Sequence, residues 1–212
     1  MDKLDGIYVM KHSSIRISRN DVIIYIDPFQ IDIANHDADL VLCTHPHYDH
    51  FSSQDIKAVS NSSTILVATP DCIDEVEKIG FKDGSFEQAY PGAIFSYKDI
   101  IIQCVPAYNK YKEFHPKEKN WVGYVITIDG TVYYIAGDTD KTKEAGNVKC
   151  DVAFLPVGGT YTMNYAEAAS LANKIKPKIV VPTHYGLIVG NYDEGIKFSK
   201  LIDKEIECRL FF

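Results

Sequence analysis

The stretch that most narrows the fold is Leu40-Val41-Leu42-Cys43, followed at once by Thr44-His45-Pro46-His47-Tyr48-Asp49-His50. A short unbroken apolar run is the pattern of a strand covered on both faces, which belongs to an α/β sheet. Residues leaving the carboxyl end of such a strand are where these sheets place ligands. A lone histidine there would read as a hydrogen-bonded loop residue, but three imidazoles and a carboxylate crowd residues 45–50. His45 and His47, two apart in extended chain, point the same way and are expected to share one cation. Asp49 and His50 diverge from that pair and are expected to serve a second cation. The donors suit zinc, with manganese or iron as alternatives.

The rest of the chain supports an α/β reading. Gly, Pro and Asn/Asp/Ser punctuate it roughly every eight to fifteen residues, the spacing of short strands interleaved with helices. Residues 7–10, 15–18, 22–26, 65–68, 100–105, 122–128, 132–136, 152–157 and 179–182 are rich in Val and Ile and read as strands. Helices are expected over 53–59, 70–79, 165–175 and 194–202. The third of these has Asn164 as cap, Glu167 three residues on and Pro177 to forbid continuation. No linker or repeat interrupts the pattern, so a single domain over 1–212 is expected, with sheets covered by helices.

Composition then removes classes of function. The 212 residues are 46% apolar and 24% charged, a globular balance that argues against disorder. A formal charge of −7 argues against nucleic acid as a partner. No apolar run reaches the length of about 18 residues that a membrane span needs, and Met1–Asp5 has no signal-peptide pattern. Stable membrane association is therefore not expected. Five cysteines without a C-x-x-C pair read as reduced thiols in a cytoplasmic protein. Homo-oligomerisation is left open.

Two further segments share the character of the histidine loop. Tyr134-Ile135-Ala136-Gly137-Asp138-Thr139-Asp140 ends an apolar strand in Gly and a carboxylate, and Val181-Pro182-Thr183-His184-Tyr185-Gly186 ends another in a histidine. Alone, Asp138 could cap a turn and His184 could be a buried, satisfied histidine. With the first cluster they complete a set of strand-end ligands.

With these motifs in order, from Ile26-Asp27-Pro28 through H-x-H-x-D-H and Gly-Asp-Thr to His184, the sequence resembles the metallo-β-lactamase-fold superfamily over nearly its whole length. Within it, Lys11-His12-Ser13-Ser14-Ile15-Arg16, Val105-Pro106-Ala107-Tyr108-Asn109, Trp121-Val122-Gly123-Tyr124 and Leu155-Pro156-Val157-Gly158-Gly159-Thr160 are similar to small prokaryotic hydrolases related to ascorbate-phosphate lactonase and the N-acyl-phosphatidylethanolamine phospholipase D type. The resemblance implies a four-layer αβ/βα sandwich holding two divalent ions. It implies that His45 and His47 bind the first ion, that Asp49, His50 and His184 bind the second, and that Asp138 bridges them. Asp27 would support the histidine loop from behind. Asp49 and His50 would also take part in catalysis.

The chain departs from that family at one place. Most members have a histidine ligand in the stretch matching Val105–Asn109, where this chain offers Asn109. The nearest histidine is His115, in Glu113-Phe114-His115-Pro116. Either Asn109 ligates through its amide oxygen, or His115 folds back as ligand or substrate contact, or the site is labile or mononuclear. An exposed loop histidine among Lys112, Lys117 and Lys119 is the plainer alternative. By the same resemblance His12 would lie at the rim of the metal cleft as a candidate metal or substrate contact, able to bond substrate or a ligand carboxylate, with a turn role as the alternative. His36 reads as surface. Gly158-Gly159 would let a ligand approach the backbone, or form only a turn.

The expected chemistry is hydrolysis of a small, anionic ester, lactone or phosphodiester by a hydroxide held between two metal ions. A phosphodiesterase or nuclease, a di-iron oxidoreductase and a catalytically weak metal-binding protein are the alternatives. There is no phosphate-binding G-x-x-x-x-G-K-[ST] and no G-x-S-x-G nucleophile elbow.

Overall fold

Period-two burial makes the first three strands, β1 (Ile7–Val9), β2 (Ile15–Arg19) and β3 (Val22–Ile26). Asn20 and Asp21, at φ of 54° and 52°, close the β2–β3 hairpin in the left-handed pair of conformations that matches strand twist. The structure, a computed structural model, describes residues 2–211, so the two terminal residues of the expected 1–212 span lie outside the description. It divides into two compact units, residues 1–90 and 91–212.

In the first unit, β4 (Ala38–Leu42) and β5 (Ser60–Ala68) extend the sheet in parallel, and β6 (Phe86–Gln88) completes the order β1-β2-β3-β4-β5-β6. Two antiparallel steps separate β1 from β3, so β1, β3 and β4 all point the same way. The helices α1 (Ser53–Val59) and α2 (Ile73–Lys78) pack Ile56, Val59 and Val76 against Val41 and Leu66. The expected 70–79 helix opens as a 3-10 turn over Pro70–Cys72, because proline sits at its start with no side-chain cap.

The second unit carries β7 (Ile94–Tyr97), β8 (Ile100–Pro106), β9 (Val122–Ile128), β10 (Thr131–Ile135), β11 (Val152–Pro156), β12 (Ile179–Thr183) and β13 (Glu207–Cys208). The order is β13-β12-β11-β10-β9-β8-β7, and β10, β11 and β12 are parallel. Every residue of β11 and β12 is buried, as parallel inner strands require. The helix α3 (Tyr165–Ile175) has the expected bounds, and Asn164 with Glu167 forms a reciprocal capping box. Its face of Ala168, Leu171, Ala172 and Ile175 covers Leu155 and Val180. Removing Leu171 from such a site costs about 2–5 kcal/mol. The last helix, α4 (Glu194–Ser199), is shorter than the expected 194–202.

Direction decides where chemistry can gather. In the first unit His12, Asp27 and the 44–50 loop follow β1, β3 and β4 at one end of the sheet. In the second, β8 runs with β10 because β9 opposes both, so Asn109, Asp138, Gly158 and His184 all lie beyond the carboxyl ends of their strands.

Candidate functional site

The first unit gathers six of the expected residues. The chain after β4 bends rather than running on as extended strand, yet His45 Nε2 comes to 3.0 Å from His47 Nδ1. Two imidazole nitrogens at that distance must share one proton or face one cation. The bend, not strand alternation, is therefore what turns the pair together. His50 stacks beside His45 with ring centroids 4.1 Å apart.

Asp27 organises this loop. Its Oδ1 accepts the Thr44 backbone N–H at 2.8 Å, and its Oδ2 accepts the Thr44 hydroxyl at 2.8 Å and His50 Nδ1–H at 2.7 Å. With its proton given to Asp27, the Thr44 oxygen is left to accept from His45 Nδ1, 2.9 Å away. That fixes the tautomer in which His45 Nε2 carries the lone pair facing His47. Burial raises the Asp27 carboxyl above its usual range, opposed by the charge and hydrogen bond of His50 and the bonds from Thr44. Asp55, buried on α1, accepts the backbone N–H groups of Gln30 and Ile31 and so anchors the turn that carries Asp27.

His12, buried, places Nε2 3.1 Å from Asp49 Oδ2, and the same oxygen lies 3.5 Å from His50 Nε2. His12, Asp49 and His50 each offer a ligand atom, all within 4.8 Å of one another. His12 and Asp27 hold φ of 56° and 46°, in the left-handed region that costs non-glycine residues about 1–3 kcal/mol each. Tyr48 is exposed and sets its ring edge-on to Phe29. His36 lies on the surface, as expected, 2.9 Å from the Ser60 carbonyl.

The second unit gathers the other four. His115 Nε2 and His184 Nε2 approach the same carboxylate oxygen, Asp138 Oδ2, at 3.2 and 3.1 Å. His115 is only 1% exposed, so the alternative of an exposed loop histidine is overturned. Lys117 and Lys119 face outward, whereas Lys112 is half-buried and sets Nζ 2.6 Å from Asp140 Oδ1. Asn109 Oδ1 lies 3.0 Å from His115 Nδ1, and its amide nitrogen donates to Asp140 Oδ1 and the Tyr161 carbonyl.

His184 also holds a left-handed φ, 57°. A Cβ on Gly158 would meet the His184 carbonyl oxygen at 2.3 Å. The close pass of the His184 backbone thus requires glycine at 158. Sequence reasoning missed Thr44, Asp55, Asp140 and Lys112. The only signal for Asp140 was its place two residues after Asp138, in the polar loop that follows β10.

The donors in both units are imidazole and carboxylate, with no thiolate among them, which fits a divalent zinc, manganese or iron ion. Burial pushes the nearby Cys43 thiol well up, away from the thiolate a metal would need.

Comparison with known proteins agrees with these motifs. The sequence profile of a beta-lactamase superfamily domain matches residues 6–184. A metal-dependent hydrolase of Methanosphaera stadtmanae is 29% identical, over 92% of this chain and 90% of its own length. Another, from Thermococcus kodakarensis, is 31% identical over 81% of this chain and 77% of its own. A crystal structure from Parabacteroides distasonis, described as that of a metal-dependent hydrolase, superposes with a TM-score of 0.83 at 33% identity, covering 96% of this chain and 91% of that one.

Proposed function

Because the chain belongs to the metallo-β-lactamase-fold superfamily, we propose that it is a metal-dependent hydrolase of a small, anionic ester, lactone or phosphodiester. His45 and His47 would hold one divalent ion, Asp49, His50 and His184 a second, and Asp138 would serve both. Zinc is the first choice, with manganese or iron as alternatives. The observation that carries this reading is the 3.0 Å approach of His45 Nε2 to His47 Nδ1. Hydrolases among the relatives support it.

Bound ions would supply Lewis-acid polarisation of the scissile group and a water-derived nucleophile at neutral pH. The protein's own work is orientation. Asp27 and Thr44 set the ring planes and tautomers of His45 and His50. His12 steadies the Asp49 carboxylate, which would move a proton in the reaction. Asp49 and Asp138 would together offset only part of the charge of two divalent ions, which would favour an anionic substrate despite the chain's net −7. That net charge still disfavours nucleic acid. No helix among the described residues is long and apolar enough to cross a membrane. The five cysteines, none of them in a disulfide, fit a reducing, cytoplasmic setting.

The test is elemental analysis of the purified protein together with a hydrolysis screen on lactones, phosphodiesters and thioesters. Two ions per chain with turnover supports the proposal. Tight metal without turnover on any of them would make the chain a metal-binding protein, and no metal would end the proposal.

A further inference from the structure

The 107–121 loop is built to return one side chain to the end of the second unit's sheet. Ala107 N–H donates to the Trp121 carbonyl at 2.9 Å and closes its base, and Asn109 N–H donates to the His115 carbonyl at 2.8 Å across its middle. The His115 ring lies edge-on to Trp121, with centroids 5.6 Å apart. His115 Nε2 is thereby set 3.2 Å from Asp138 Oδ2, the oxygen that His184 also approaches.

The hydrogen bonds decide which ring nitrogen carries the proton. The Asn109 amide nitrogen donates to two acceptors, Asp140 Oδ1 at 3.1 Å and the Tyr161 carbonyl at 2.9 Å. Its oxygen must then face His115, where it accepts from the backbone N–H at 3.1 Å and from Nδ1 at 3.0 Å. Asp140 is itself held by Lys112 Nζ at 2.6 Å and by the Lys110 N–H at 2.8 Å. An amide oxygen can only accept, so Nδ1 is the protonated nitrogen and a neutral ring presents its Nε2 lone pair to the Asp138 carboxylate. Lone pair against carboxylate repels, unless a cation stands between them or the ring is an imidazolium. A metal-binding histidine held through its other nitrogen by a fixed acceptor shows the same arrangement.

We propose that His115 is the histidine ligand this chain uses in place of one at the end of β8, and that Asn109, locked by Asp140, is its positioning residue. The proposal rests on the metal-dependent reading above. It makes the chain's departure at Asn109 a relocation of a ligand and not a loss.

Metal-free protein titrated with Co2+, followed by calorimetry and by the visible absorption of the bound ion, separates the readings. The wild type is expected to take two Co2+ per chain. His115→Ala is expected to weaken one of them by 100-fold or more and to change its absorption bands, and Asn109→Ala to weaken the same ion by about 10–100-fold with shifted bands. A folded His115→Ala protein that keeps both ions at wild-type affinity and spectrum overturns this inference and leaves the proposed function standing. A wild type that binds no Co2+ removes both. Should the variants fail to fold, nitrogen-15 NMR of the zinc-loaded wild type decides: a protonated His115 Nδ1 with a metal-shifted Nε2 is expected, and an imidazolium pattern overturns the inference.

Discussion

His50 donates its Nδ1 proton to Asp27 Oδ2 across 2.7 Å, so the first residue after β3 sets the ring of a residue in the loop after β4. Asp27 also holds Thr44 by two bonds, and through Thr44 it reaches His45. Asp27→Ala should therefore weaken metal binding by about 10–100-fold without removing a single ligand. It should also destabilise the metal-free protein by about 1–3 kcal/mol, since the Thr44 N–H loses its acceptor in a buried place. Competition with a chromogenic chelator measures the first effect and thermal unfolding the second.

Gly158→Ala should be disruptive out of proportion to one methyl group. The new Cβ would lie 2.3 Å from the His184 carbonyl oxygen and 3.0 Å from Val189 Cγ1, so backbone must move. A stability loss of about 1–3 kcal/mol is expected, with a loss of metal affinity as His184 is displaced from Asp138. By contrast, Gly130→Ala, where a Cβ meets nothing within 4 Å, should cost only the strain of its left-handed backbone. Denaturant unfolding of the two variants makes the comparison.

Thiol chemistry should be dispensable. Burial penalises the thiolate, pushing Cys72 and Cys150 up to about 12 and Cys208 up to about 11. At pH 8 these thiols are protonated, so reaction with a disulfide reagent should run about 100-fold or more slower in the native than in the unfolded protein. Because the folded values are raised, the stability these groups contribute is fully present below the ordinary thiol value of 9.0 and is lost as pH rises from there toward 11–12. Denaturant melts from pH 8 to 11 should show that decline, and rapid labelling of native protein at pH 8 would contradict it.

Much of this was readable from residues alone. The unbroken Val/Ile runs marked the inner strands, and Asn164 with Glu167 fixed the start of α3, because both signals are local. The histidine loop stood out for the same reason. Strands β6, β7 and β13 were missed: Phe86-Glu87-Gln88 is mostly polar, Ile94–Tyr97 is half-exposed at a sheet edge and Glu207–Cys208 is only two residues long, so none carries a core pattern. The burial of His115 was invisible because its sequence neighbours are charged, and only the bonds of the folded loop turn it inward. Asp140 reaches Asn109 across a separation of 31 residues, which no spacing rule could suggest. The left-handed backbones of His12, Asp27 and His184 are likewise set by tertiary contacts that hold them there.

Hydrolysis is proposed to run on metal held by the histidine loop. The most direct measurement is turnover of chelator-stripped protein on an ester, lactone and phosphodiester panel, before and after adding zinc or manganese, for the wild type and for a His45→Ala, His47→Ala double variant. Turnover that appears only with metal, and is lost with metal content in the double variant, is the expected result. A double variant with full metal content and full activity would show that His45 and His47 do not hold the metal.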